Sequence, residues 1–301
     1  MKITGIHLLL TYQCTFACAH CFVWGSPFQH GVMSLGDVRR ILQQAHELGT
    51  VSSVAFEGGE PFLYYATLLH AVQEAAAQGF RVSIVSNAYW AVSDEDALAA
   101  LQPFAGLIQS ITVSSDRFHY SEEISRQASS AQRAAERLGI ASGMISIAPP
   151  SAPEAETAQG QIPEGKSGVM YRGRAAAKLA GKVRQQAWDQ FTACPHENLA
   201  DPGRVHIDPL GNIHLCQGIL LGNLFNTPVK ELCAAYQPEQ HPVVGPLLAG
   251  GPSELARCYD LAHQESYADA CHLCYEARRQ LRARLPAFLG PDQMYGLFAS
   301  G

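Results

Sequence analysis

Three cysteines within eight residues, Cys14-Thr-Phe-Ala-Cys18-Ala-His-Cys21, carry the most specific chemistry in the chain. Closely spaced thiolates are how proteins hold iron–sulfur clusters. A cubane cluster has four irons, so three cysteines leave one iron without a protein ligand, and an open metal position is where a substrate or cofactor can bind. Zinc sites repeat a two-residue gap in distant pairs. Here a three-residue gap adjoins a two-residue gap, with no fourth cysteine close behind. His20 could ligate, but between two ligands it is expected to face outward.

A second set is Cys194, Cys216, Cys271 and Cys274. Gly211-x4-Cys216 places a thiol after a turn, and Cys271-His-Leu-Cys274 is a two-residue-gap pair. Four thiolates from three segments can close around a cluster with no open iron, or around a structural zinc. Of the nine cysteines, Cys233 and Cys258 are left over, and spare cysteines usually pack as small buried hydrophobes.

The elements that must position these thiols follow a repeating pattern. Strands are expected at Ile6–Leu10, Ser53–Phe56, Arg81–Ser86, Ile108–Ser114 and Ser142–Ala148. Helices are expected at Ser34–Leu48, Tyr64–Gln78, Ser93–Leu101 and Ser121–Leu138, three of them stopped by Gly49, Gly79 and Gly139. A sixth strand is expected within Gly168–Arg174 and a helix over Ala175–Ala187. Strand then helix, repeated with short turns, predicts an α/β fold, a parallel sheet closed or partly closed into a barrel, with active residues at the C-terminal strand ends. Pro149–Gly168 lacks periodicity and reads as a loop over the site. Arg204–Cys216 alternates around Pro209-Leu-Gly-Asn212, a hairpin signal that marks a different module. Tyr275–Leu285 reads as a helix with a solvated basic face at Arg278, Arg279, Arg282 and Arg284.

At 301 residues the chain can hold one large domain and a small one. A 47% hydrophobic and 16% charged composition is that of a globular protein, and the net charge of −6 argues against general nucleic-acid binding. No apolar run is long enough for a membrane span or signal segment, so a cytoplasmic protein is expected, with its cysteines serving as ligands or catalytic thiols rather than disulfides.

The N-terminal trio resembles the signature of the radical S-adenosylmethionine (radical SAM) superfamily, Cys-x3-Cys-x-Φ-Cys, with His20 at the usually aromatic position. The resemblance implies a partial (β/α)6 TIM-like barrel over residues 1–185 and a small C-terminal twitch-like domain, hairpin plus helix, over 186–301. It implies a [4Fe-4S] cluster on Cys14, Cys18 and Cys21 whose open iron is chelated by SAM. Glu57-Gly58-Gly59-Glu60-Pro61 matches the stretch that binds the SAM amino group in that family. Ser86, Asn87, Ser114 and Asp116 stand where strand-end residues contact its ribose and carboxylate, and Arg172 or Arg174 would pair with that carboxylate. Gly-x4-Cys followed by Cys-x2-Cys resembles the family's SPASM or twitch domain. This favours an auxiliary [4Fe-4S] cluster on the second cysteine set over zinc, although the Cys194–Gly211 gap is slightly long.

The implied chemistry is SAM cleavage to a 5′-deoxyadenosyl radical, with an external electron donor such as flavodoxin or ferredoxin, and hydrogen abstraction. A closed auxiliary cluster predicts net oxidation, first of a ribosomally made peptide. The alternatives are oxidation of a small molecule, and peptide epimerisation with Cys258 as catalytic hydrogen donor. A reading from another class is a non-enzymatic iron–sulfur carrier or a zinc-stabilised binding module. The first strand begins close to Met1, so any peptide-recognition domain is expected on a separate partner.

Overall fold

The computed structural model describes residues 1–122, 124–150 and 165–298. Most of the expected loop over the site, residues 151–164, lies outside them. The barrel half runs β1 (Gly5–Leu9), α1 (Leu35–Leu48), β2 (Ser53–Glu57), α2 (Tyr65–Ala77), β3 (Arg81–Ser86), α3 (Asp94–Leu101), β4 (Ser110–Ser114), α4 (Arg126–Arg137), β5 (Ala141–Ile147), β6 (Gly165–Ser167) and α5 (Arg174–Lys178). Then come β7 (Gln186–Ala187), β8 (Arg204–Ile207), β9 (Asn212–Cys216), β10 (Ile219–Asn223), α6 (Val229–Ala235), α7 (Val244–Cys258), β11 (Ser266–Tyr267) and α8 (Ala270–Leu281).

Helix starts follow local chemistry. Ser34 caps α1 in a capping box with Asp37, and Gly49 ends the helix at φ 72°. Ser93 and Ser125 each accept an amide at the start of α3 and α4. Helix α4 begins at Arg126, later than expected, because Asp116 accepts from the Phe118 and His119 amides in a turn and the Ser115 Oγ accepts from the Ser125 amide. Its buried face is Ala128, Ser130, Ala131, Ala134 and Ala135, small side chains that let the helix lie close on the sheet.

One sheet of nine strands runs in the order β10-β9-β8-β1-β2-β3-β4-β5-β6. Strands β1 to β6 are mutually parallel. The β8–β9 hairpin forms as its turn residues predict, and β8 adds in parallel to the free side of β1. The hairpin module therefore extends the barrel sheet: Ile6 and Leu8, Val54 and Phe56, and Val205 and Ile207 share one core under the helices. The opposite face of the same strands, carrying His7, Ala55, Glu57 and His206, lines the inside of the curved sheet.

Three expected elements differ. The sixth strand is Gly165–Ser167 rather than within Gly168–Arg174, where the chain turns to reach the cysteine loop. Gly173 sits at φ 60°, and a Cβ there would lie 2.6 Å from the Phe22 carbonyl oxygen, so only glycine permits this approach. The helix expected over Ala175–Ala187 ends at Lys178 and gives way to a 3₁₀ turn and β7. The C-terminal helix starts at Ala270, capped by Asp269, which puts Cys271 and Cys274 on its first two turns. Its expected basic face is not wholly solvated. Arg278 is buried against Tyr275 and Tyr295, with its guanidinium donating to the Gln217 carbonyl.

Candidate functional site

The C-terminal ends of β1 to β5 open into a cavity of about 160 Å³. Cys14, Cys18, Cys21, His20, Gly58, Gly59, Ser86, Asn87, Ser114 and Asp116 all line it, so the structure brings together most of the residues singled out by position. The cysteine loop follows β1 and is bound edge-on to the Gly-Gly turn after β2. Gly59 N donates to Thr11 O at 2.6 Å and Glu60 N to Gln13 O at 2.8 Å. A Cβ on Gly58 would lie 2.5 Å from Thr11 O, and one on Gly59 2.1 Å from Gln13 O. The two glycines are thus required by the backbone they admit. Arg174 closes the loop from the other side, its guanidinium donating to Cys18 O and Gly25 O at 2.8 Å each.

The three thiols are arranged as ligands. Burial pushes Cys14 up to about 12 and raises Cys18 as well, with each neighbouring thiol adding to the effect. Thiols so placed ionise when a metal takes them. N–H groups already point at two of the sulfurs: Asn87 Nδ2 and Phe16 N at 3.5 Å from Cys14 Sγ, and Gly25 N at 3.2 Å from Cys21 Sγ. Hydrogen bonds to sulfur of this kind tune iron–sulfur clusters. The trio therefore fits a cluster.

Several predicted contacts are placed differently. The Glu60 side chain does not face the cavity. It is fully buried behind the wall, accepting from Phe62 N, Ser86 Oγ and Asn87 N, while burial raises its carboxyl to about 7. The Ser86 hydroxyl, besides, accepts from Trp90 Nε1. His20 points inward rather than outward, packed on Phe118 and His119, and burial lowers its pKa. Asp116 takes amides from Phe118, His119 and Ile147 and holds His119 Nδ1 at 2.9 Å. Burial opposes its ionisation, but the two histidines keep its carboxyl well below the usual range. Arg172 is not in this cavity; it belongs to the second thiol set. Cys258 lies exposed at the end of α7, its thiol donating to Glu254, and lines neither thiol cavity.

Cys194, Cys216, Cys271 and Cys274 converge on a separate cavity with Arg172 and Arg278 in its wall. Arg172 Nη1 donates to Cys216 Sγ at 3.3 Å, and its guanidinium stacks 5.5 Å over Phe22, which itself lines the first cavity. The nearby thiols and Glu197 hold Arg172 fully charged in spite of its burial. Gly251, at φ 67°, interrupts α7 where a Cβ would lie 2.3 Å from Ala193 N, and so lets the chain before Cys194 pass against the helix. Four converging thiols with a cation fit a fully ligated cluster as well as zinc.

Sequence reasoning missed the groups on the barrel floor. Glu57 lines the first cavity and contacts His7 Nδ1 at 3.3 Å and His206 Nε2 at 2.9 Å. Burial opposes its ionisation, but the two imidazoles hold its carboxyl well below the usual range, while burial lowers His206 to about 4. A signal existed: His7 and His206 are each a polar residue between apolar ones in a strand, on the face away from the helices.

Residues 8–141 match the family described as the Radical SAM superfamily, and the chain carries a radical SAM domain. An S-adenosylmethionine-dependent nucleotide dehydratase of Selenomonas ruminantium is 33% identical over 84 residues, 27% of this chain and 29% of that protein. The peptide biosynthesis protein YydG of Bacillus subtilis (strain 168) is 24% identical over 115 residues, 38% of this chain and 36% of that protein. The similarity thus spans about a third of each relative's length. Among solved structures, Streptococcus suis SuiB bound to the precursor peptide SuiA superposes with a TM-score of 0.54 at 14% identity, covering 90% of this chain and 76% of that one. The shared fold is the partial barrel with its mostly parallel sheet. No helix among the described residues is long and apolar enough to cross a membrane.

Proposed function

We propose that this chain is a radical SAM enzyme that oxidises a ribosomally made peptide. The carrying observation is the pair of thiol sites: three cysteines lining a cavity of about 160 Å³, and four cysteines lining a second, tighter one of about 20 Å³, with Arg172 and Phe22 between them. Cys14, Cys18 and Cys21 would hold a cluster with SAM, which would supply radical hydrogen-abstraction chemistry. Cys194, Cys216, Cys271 and Cys274 would hold a second cluster, which would supply an electron acceptor.

The chain's own residues shape both halves. Asn87, Phe16 and Gly25 donate to the sulfurs of the open site, and Arg174 fixes the loop that carries them. His20, His119, Phe16 and Tyr120 interlock as a wall of rings beside the cavity. Beside the enclosed thiols, Arg172 and Arg278 favour added negative charge, which suits electron uptake and hence net oxidation. The peptide choice draws support from YydG, named for peptide biosynthesis, and from the fold likeness to SuiB, solved with a precursor peptide. Cys258 gives no support to epimerisation, since its thiol is exposed and outside both cavities.

The test is anaerobic reconstitution followed by SAM and dithionite, and then by incubation with any short peptide found encoded beside the gene. Formation of 5′-deoxyadenosine, about eight irons per chain and a peptide lighter by two hydrogens are expected. About four irons would replace the second cluster with zinc or nothing. An unmodified peptide with intact SAM cleavage would turn the reading to small-molecule oxidation. No SAM cleavage by fully loaded protein would leave an electron carrier.

A further inference from the structure

We propose that His7, Glu57 and His206 bind a divalent first-row transition ion on the floor of the SAM cavity, distinct from both thiol sites.

The register builds the site. His7 on β1 and His206 on β8 are directly paired neighbours on parallel strands and share the inner face of the sheet. Glu57 pairs with Leu9 on β2, one pleat further toward the cavity and on the same face. Their donor atoms converge: His7 Nδ1, one Glu57 oxygen and a His206 ring nitrogen lie within 4.8 Å of one another. The two contacts to Glu57 Oε1 are 2.9 Å from His206 Nε2 and 3.3 Å from His7 Nδ1. Two donors each about 2.1 Å from one ion, at tetrahedral to octahedral angles, stand about 3.0 to 3.4 Å apart. The spacing is therefore that of ligands around an ion.

His7 Nδ1 and Glu57 Oε1 are buried atoms that make no well-aligned hydrogen bond, although they lie 3.3 Å apart. Buried polar atoms left so call for a partner. The histidine rings meet at 65° with centroids 5.1 Å apart, so neither covers the other's nitrogen by stacking. Arg204 stands beside the site, its Nη1 3.3 Å from His206 Nε2 and its Nη2 3.5 Å from Glu197, and an ion would take that ring nitrogen in place of Nη1.

Two imidazoles and one carboxylate on one side of an ion are the ligand set of open, catalytic-type sites, which keep positions for other ligands. Mg²⁺ and Ca²⁺ prefer all-oxygen sets, so Fe²⁺, Mn²⁺ or Zn²⁺ is the class that fits. Access is available from both ends of the barrel. Glu57 lines the SAM cavity, while His7 lines a cavity of about 310 Å³ at the N-terminal ends of the strands, with Glu197 and Arg204. The free coordination positions would face the SAM cavity and take an oxygen or nitrogen of the substrate.

The test uses the reconstituted holoenzyme with oxidised clusters, which give no paramagnetic signal, after washing with EDTA. Mn²⁺ is titrated in and the free six-line spectrum is counted, with Zn²⁺ as competitor. A single bound Mn²⁺ per chain, displaced by Zn²⁺, is expected. His7→Gln and His206→Gln are each expected to weaken it at least about tenfold while keeping wild-type iron and sulfide content. That content shows that the variants fold and that the thiol sites are intact. Equal binding in wild type and both variants overturns the proposal, as does no binding of either ion below about 1 mM. Neither result depends on SAM cleavage, so failure here is separate from failure of the oxidative reading.

Discussion

Replacing Gly59 with alanine removes no ligand and no charge, yet it should abolish the N-terminal cluster. The added Cβ would lie 2.1 Å from Gln13 O, 2.5 Å from Gln13 C and 2.8 Å from Tyr12 O. All three are backbone atoms, so no side chain can swing aside. To reach ordinary contact the two segments must separate by more than about 1 Å, which breaks the pairing of Glu60 N with Gln13 O. Overpacking of this kind costs about 1–3 kcal/mol. The larger consequence is positional, because Gln13 directly precedes Cys14. A misplacement of about 1 Å at a reactive centre costs about 10²-fold in rate. The assay is 5′-deoxyadenosine formation per reconstituted chain, with iron and sulfide counted alongside. A fall of about 10²-fold with loss of the first cluster's iron is expected. Gly79→Ala is the matched control. It lies at φ 84° with nothing within 4 Å of its Cβ, so it should lose stability without losing clusters. Gly59→Ala with wild-type iron and SAM cleavage would refute the packing argument.

Three further outcomes follow from named contacts. Arg172→Gln removes the cation 3.3 Å from Cys216 Sγ, so the auxiliary centre should become harder to reduce in a redox titration, with SAM cleavage at the first site kept; an unmoved potential would refute this. His241 accepts from Val243 N and Val244 N through Nδ1 while its Nε2 donates to Leu220 O, and burial lowers its pKa. Its folded pKa lies below the unfolded value, so its contribution is present above about pH 6.5 and is lost as pH falls. Denaturant midpoints should therefore drop between about pH 7.5 and 5.5, and less in His241→Gln; equal drops would be the contrary result. Cys258→Ala should keep full turnover of the peptide, since the thiol is exposed and outside both cavities; a stalled reaction would bring it back as a hydrogen donor.

The division between sequence and tertiary structure follows the range of the interactions. Local signals were legible. The Ser34 cap and Gly49 stop, the strand runs of β1 and β3, and the hairpin at Gly211 act within one turn or one strand and appear where expected. The three-thiol loop and the Gly-Gly turn were legible as a resemblance to the radical SAM signature, and both stand on the first cavity. Partnership across the fold was not. Glu60 looked like a cofactor contact, but its carboxylate turns behind the wall because Ser86 and Asn87, brought by β3, offer it donors there. Arg172 looked like a carboxylate clamp, but the turn at Gly173 carries it to Cys216 instead. His7, Glu57 and His206 come from three distant segments and meet only because β8 adds to β1 in one register rather than another. A shift of β8 by a single residue would send His206 into the core under the helices and away from His7, and nothing in the sequence near either one records that choice.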